Sequence, residues 1–213
     1  MPLFGTSLSD DCRNIREQSP IVHNITNYVA MNFSANALLA LGASPVMSSE
    51  PLEMTEIAAA CTSAVINIGC LESLQIKAME IAASEMYRLS KPWVLDPVGA
   101  GLSRLRLDTA LDLAKRFHPS VIRGNASEIM ALSGEKSAAR GVDTAQDSLV
   151  AEEAAKRLAS AAGAVVSVSG KVDLITDGTR CVRIHNGSPM MPAVTAMGCT
   201  ASAVTAAFLA VDG

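Results

Sequence analysis

The sequence predicts an α/β fold in which a mostly parallel central sheet is covered by helices on both faces and carries an antiparallel hairpin at one edge. Three observations predict it. Short apolar runs rich in β-branched residues alternate with longer stretches whose apolar residues recur at helical spacing. The runs Ala64–Gly69 and Ala164–Gly170 read as a buried strand and as the clearest strand of the chain, as expected under two helical layers. Val172–Thr176 and Cys181–His185 flank an Asp177-Gly178 turn, the signature of a hairpin.

The elements follow in order. Residues 1 to 18 form a short polar lead-in with one helix, and Ile21–Asn27 supplies a strand ending in polar turn formers. From Val29 to Leu41, Met31, Ala35, Leu38, Leu39 and Leu41 mark a helix that Gly42 is placed to stop. Ser44–Ser48 is a short strand or loop, Glu53–Cys61 a helix, Ala64–Gly69 a strand and Ser73–Leu89 a long helix. Trp93–Asp96 is the next strand, followed by a helix near Asp108–Phe117, the strand Val121–Arg123 and a helix opened by Asn125 or Ser127. The polar stretch Gly134–Asp147 reads as a mobile surface loop and Ser148–Ala162 as a helix. After the hairpin, a turn at Val194–Gly198 feeds an Ala-rich helix running toward Val211.

Composition narrows the function. A chain of 213 residues with 49% hydrophobic residues and a mean hydropathy of +0.29 can bury a sizeable core, and its length suits a single domain. Aromatics make up only 3%, so small aliphatic side chains must pack helix on sheet. No apolar run is long enough to span a bilayer, and Asp10, Asp11 and Arg13 stand where a signal peptide needs apolar residues; a cytoplasmic location is the expectation. The net charge of −4 offers no basic stripe, which argues against nucleic acid as the main partner. The five cysteines are scattered without a C-x-x-C pair, so neither a disulfide framework nor a zinc site is expected, and His23, His118 and His185 form no local metal motif.

In open parallel sheets, ligands bind beyond the carboxyl ends of the strands. That rule collects Asn24–Asn27, Met47, Gly69, Asp96–Gly101, Arg123–Glu128, Ser169–Lys171 and Gly198-Cys199 on one rim. Gly198 and the first N–H groups of the last helix make a phosphate-sized anion site, and Cys199 stands where a helix N-terminus favours a thiolate. Asp96, ahead of Pro97-Val98-Gly99, reads equally as a turn residue or as a Mg²⁺ group acting directly or through water. Arg123-Gly124-Asn125-Ala126-Ser127-Glu128 combines a cation, a permissive turn, a helix cap and an acid. Arg123 suits nucleotide phosphates, and Glu128 suits either a capping box or the magnesium waters. Ser169 offers a hydroxyl to a phosphate or base edge, and Met47 with the Asn24–Asn27 segment offers a small, partly apolar pocket.

Taken together, Val22–Asn27, Asn36–Met47 (NALLALGASPVM), Asp96-Pro97-Val98-Gly99, Ile122–Leu132 (IRGNASEIMAL), Thr176-Asp177-Gly178 and Gly198-Cys199 resemble the hydroxyethylthiazole kinases of the ribokinase-like superfamily. The match runs in order over nearly the whole chain. The resemblance implies a three-layer fold and ATP-dependent, Mg²⁺-assisted phosphorylation of the alcohol of 4-methyl-5-(2-hydroxyethyl)thiazole in thiamine salvage. It also implies a cytoplasmic homotrimer with thiazole sites between subunits. By the same resemblance, Met47 and Ala196 lie at the thiazole with Asn27 nearby, Arg123 and Ser169 bind ATP, Asp96 and Glu128 belong to the magnesium shell, and Gly198 and Cys199 carry the catalytic turn.

Three substitutions depart from the family pattern. Ala196 replaces the first glycine of the usual G-x-G-C turn, Asn24 stands where cysteine is common, and Ser169 where threonine is common. Residues 1–213 then read as one kinase domain, and the family pattern continues for several helices past Gly213. Two rival readings are a thiazole-binding module without turnover and a cysteine-nucleophile hydrolase built on Cys199, which lacks a recognisable histidine partner.

Overall fold

The computed structural model describes residues 7–135 and 145–211. It contains one mixed sheet of eight strands: β1 (Ile21–Ile25), β2 (Ser44–Met47), β3 (Ser63–Asn67), β4 (Trp93–Asp96), β5 (Val121–Asn125), β6 (Val165–Ser169), β7 (Asp173–Thr176) and β8 (Cys181–Ile184). Their spatial order is β2-β1-β3-β4-β5-β6-β7-β8. The first six pair in parallel, and β7 and β8 are antiparallel, which is the predicted edge hairpin.

The helices are α1 (Leu8–Gln18), α2 (Met31–Leu41), α3 (Met54–Ala60), α4 (Ser73–Arg88), α5 (Arg104–Phe117), α6 (Ala126–Leu132), α7 (Ala145–Ala162) and α8 (Met197–Leu209). Their boundaries have local causes. Gly42 ends α2 in the left-handed region at φ 112°, where a Cβ would also meet Arg16 Cγ at 2.8 Å. Ser103 opens α5 by accepting the Arg106 N–H at 3.3 Å, so that helix begins four residues ahead of the expected Asp108. Asn125 is both the last residue of β5 and the cap of α6. The expected loop at 134–147 falls mostly outside the described residues, though Ala145–Asp147 already belong to α7.

Two apolar layers sandwich the sheet. Adjacent residues of a strand point to opposite faces, and the core divides accordingly. Ala64, Ile66, Leu95, Ile122 and Val166 pack under α3, α4, α5, α6 and α7, whereas Val22, Val65, Val94 and Val121 pack under α1, α2 and α8. The small faces of α4 (Ala78, Ala82, Ala83) and α8 (Ala203, Ala206, Ala207) let these helices approach the strands closely, as the scarcity of aromatics required. Parallel register then puts the carboxyl ends of β1 to β6 on one rim: Asn24 pairs with Met47, Asn67 with Asp96, and Asn125 with Ser169.

Candidate active site

The rim residues are linked rather than merely near. Asp96 is buried at the end of β4, and its Oδ2 accepts from Asn67 Nδ2 at 2.8 Å and from Ser202 Oγ at 2.7 Å. Asn67 Oδ1 in turn accepts from Asn27 Nδ2 at 3.1 Å, and the same Asn27 nitrogen reaches Cys199 Sγ at 3.4 Å. Ser202 lies one turn into α8 and also donates to the Gly198 carbonyl at 3.3 Å. Arg123, at β5, donates from Nη1 to that carbonyl at 2.9 Å. The start of α8 is therefore fastened to β1, β4 and β5 at once.

The turn before α8 has an unusual backbone. Ala196 caps the helix at φ 60°, ψ 7°, a left-handed conformation that costs a non-glycine residue roughly 1–2 kcal/mol. The resemblance expects glycine at this position, and glycine adopts this conformation without that cost. The first internal bond of the helix runs from the Thr200 N–H to the Ala196 carbonyl, so the N–H groups of Met197, Gly198 and Cys199 precede it and carry the positive helix end.

Charge at the site is shaped by burial. Desolvation raises the Asp96 carboxyl to about 6, and the nearby Glu128 carboxylate adds to the rise; the Ser202 and Asn67 hydrogen bonds and Arg123 oppose it. Burial also pushes the Cys199 thiol above its ordinary value, and the Asp96 charge reinforces the shift. This direction runs against the thiolate expected at Cys199: the helix end favours a negative sulfur, whereas desolvation and a carboxylate neighbour disfavour it.

Glu128 meets its structural expectation in full. It completes the capping box with Asn125: its Oε2 accepts the Asn125 N–H at 2.8 Å and its own N–H reaches Asn125 Oδ1 at 3.0 Å. Its Oε1 accepts the Gly99 N–H at 2.9 Å, which joins the loop after β4 to the loop after β5. Asp96 and Glu128 thus form a like-charge pair that a hard cation relieves. Among the described residues no group of three or more His, Cys, Asp or Glu is placed to hold a metal ion. Two carboxylates still fit Mg²⁺, which typically uses one or two together with waters and phosphate oxygens.

The other expected residues occupy the two ends of the rim. Met47, half-buried, ends β2, with Asn27 buried beyond β1 beside it in the strand order; Ser169 ends β6 and donates to the Gly124 carbonyl at 3.3 Å. Five strand steps of about 4.8 Å separate the Met47 end from the Ser169 end, so they are not one pocket but two halves with α8 packed between. No histidine touches Cys199 among the described residues: His23 is buried and bonded through Nε2 to the Ser48 carbonyl, and His118 lies against Tyr87.

Sequence reasoning passed over three residues. Asn67 and Ser202 hold Asp96, and Arg106 spans two loops, donating to the carbonyls of Ile68 at 2.6 Å, Val98 at 2.9 Å and Gly69 at 3.0 Å. An asparagine closing an apolar strand directly opposite an aspartate was the available signal for Asn67.

Comparison with known proteins identifies the family. Residues 12–213 match the model of the hydroxyethylthiazole kinase family. The chain is 49% identical over 212 residues to the hydroxyethylthiazole kinase of Brachyspira hyodysenteriae, an alignment covering 100% of this chain and 80% of that relative. The structure of the hydroxyethylthiazole kinase protein from Pyrococcus horikoshii OT3 superposes with a TM-score of 0.86 at 40% identity, covering 95% of this chain and 76% of the other. An ADP complex of Bacillus subtilis pyridoxal kinase shares the fold at a TM-score of 0.66 and 18% identity, over 90% of this chain and 83% of that one. On the family match over nearly its whole length, the chain belongs to the hydroxyethylthiazole kinase family.

Proposed function

We propose that this chain transfers the γ-phosphoryl group of ATP to the hydroxyl of 4-methyl-5-(2-hydroxyethyl)thiazole in thiamine salvage, with residues 1–213 acting as one kinase domain. The observation that carries the reading is the fastening of the α8 N-terminus to Asp96 through Ser202 and to Arg123 through the Gly198 carbonyl. It brings unpaired N–H groups, a cation and a carboxylate to the middle of the rim, where a phosphoryl group passes from one half to the other.

In this reading Met47, Ala196 and Asn27 hold the thiazole alcohol at the β2–β1 end. Arg123 and Ser169 hold ATP at the β5–β6 end. Asp96 and Glu128 would hold Mg²⁺, directly or through water, and the ion would supply charge neutralisation for the phosphates. The alcohol oxygen forms a bond to the γ-phosphorus while the bond to the β,γ-bridging oxygen breaks, and ADP carries the electrons away. The N–H groups of Gly198 and Cys199 meet the negative charge on the moving group. A loose transition state asks little of a base, so the hydroxyl proton leaves late, onto an oxygen of the transferred phosphoryl group and from there to solvent, and a protonated Cys199 acts as a neighbour of the alcohol rather than as its base.

The proposed assembly is a homotrimer, with the thiazole sites shared between subunits, working in the cytoplasm. Exposed Tyr28, Val29, Phe33, Met190, Val194 and Met197 lie on the segments flanking the acceptor half and support an apolar subunit contact there. No helix among the described residues is long and apolar enough to cross a membrane.

Steady-state release of ADP from Mg-ATP, with and without hydroxyethylthiazole, tests the reading. Thiazole-dependent release that Arg123→Ala lowers on the order of a hundredfold in kcat/KM supports it. Thiazole binding by a folded chain without ADP release replaces it with the binding module.

A further inference from the structure

We infer that Asn67 is a positioning residue that fixes, in one piece, the geometry of the acceptor half and the metal half of the site. The inference rests on the kinase reading above. Asn67 is fully buried, and both of its polar atoms are engaged: Nδ2 donates to Asp96 Oδ2 at 2.8 Å, and Oδ1 accepts from Asn27 Nδ2 at 3.1 Å and from the Gly69 N–H at 2.9 Å.

The orientation of this chain of amides is forced by backbone. A peptide N–H only donates. The Gly69 N–H therefore holds the carbonyl end of the Asn67 amide, leaving its NH₂ for Asp96, and the Ala30 N–H holds the Asn27 carbonyl end at 3.0 Å. Asn27 must then present N–H, never C=O, to Asn67 and to the neighbourhood of Cys199. An acceptor oxygen brought beside Cys199 meets a donor whose direction is set by the Ala30 N–H and whose position is shared, through Asn67, with Asp96.

The surrounding chain gives up side-chain space to keep this arrangement. A Cβ on Gly69 would stand 2.7 Å from Asn27 Nδ2 and 2.8 Å from Asn67 Oδ1, so only glycine lets the backbone N–H reach Asn67. Arg106 pins the same loop through the Ile68 and Gly69 carbonyls and ties it to the Val98 carbonyl beyond Asp96. Buried polar networks of this kind hold one geometry when every member is satisfied.

The test is kinetic and spectroscopic, on the full chain. Asn67→Ala should lower kcat about tenfold or more while moving the KM for Mg-ATP far less, because misplacement acts on the transition state. Asn27→Ala and Ser202→Ala, whose side chains do not touch, should have non-multiplicative effects on kcat when Asn67 is present and independent effects when it is alanine. If Asn67→Ala does not fold, the near-isosteric Asn67→Leu takes its place; it keeps the volume and loses every polar contact, whereas an aspartate here would share a proton with Asp96 and keep the link. A folded Asn67 variant with wild-type kcat overturns the inference, as do multiplicative effects with Asn67 in place.

A readout independent of turnover separates this inference from the kinase reading. In side-chain amide NMR, Ser202→Ala should shift the Asn27 NH₂ resonances in the Asn67 chain and leave them in place in Asn67→Leu. Unmoved Asn27 resonances overturn the inference whatever the activity, whereas a wild-type chain with coupled resonances and no ADP release overturns only the kinase reading.

Discussion

Ser202 and Asp96 lie 106 residues apart and meet through a 2.7 Å hydrogen bond from the serine hydroxyl to Asp96 Oδ2. The bond joins the first turns of α8 to the end of β4, so the helix that carries the anion site is registered on the carboxylate proposed to face the metal.

The buried carboxylate predicts a pH dependence of stability. Burial lifts Asp96 to about 6 in the folded chain, above the ordinary value of 3.8. Between those values the folded state binds more protons than the unfolded one, so the Asp96 contribution is fully favourable at low pH and is lost as pH rises through about 6. The loss is on the order of 2–3 kcal/mol. Asp96→Asn should remove that slope in thermal melts between pH 4 and pH 7 (roughly the window set by burial), while abolishing phosphoryl transfer.

The backbone at Ala196 predicts a tolerated reversal. Relief of its left-handed strain by Ala196→Gly is partly offset by the freedom glycine gains when unfolded, leaving about 0 to 1 kcal/mol of stabilisation. Ala196→Val should instead destabilise by more than about 1 kcal/mol, because a branched Cβ fits this region worse than alanine. Chemical denaturation of the three chains checks the order.

Arg123 and the Gly198 carbonyl predict a difference between cations. Arg123→Lys keeps the charge but loses the fork that can hold Gly198 and a phosphate together, so the KM for ATP should rise about tenfold. Arg123→Ala should cost on the order of a hundredfold in kcat/KM. A lysine variant that matches the wild type would show that charge alone suffices.

The raised Cys199 thiol predicts slow alkylation. At pH 7 its rate of reaction with iodoacetamide, followed by peptide mass spectrometry, should fall below that of an exposed cysteine in a short peptide, and it should climb as the pH is raised. Rapid modification at neutral pH would restore the thiolate.

The sequence made some parts of the molecule legible for physical reasons. Asp96 was visible as a carboxylate ending an apolar strand, although that alone reads equally as a turn residue, and the Asn125–Glu128 spacing spelled out its capping box. Alternating runs revealed the layers because each buried strand must be covered twice. Asn67 stayed hidden because an asparagine at a strand end also reads as a turn former. Ser202 was lost in an Ala-rich helix whose other small residues serve packing. Arg106 was missed when the start of α5 was placed at Asp108, since the cap at Ser103 carries little signal outside its fold. The Cys199 thiolate was over-read because the helix end is visible in sequence, whereas the burial that opposes it is not.

The most direct test of the central claim is product identity. The chain should be incubated with Mg-ATP and hydroxyethylthiazole, and the thiazole pool followed by mass spectrometry beside ADP. The account predicts thiazole monophosphate appearing in equal amount to ADP, with both lost in Asp96→Asn. ADP without phosphorylated thiazole, or neither product from a folded chain, would contradict it.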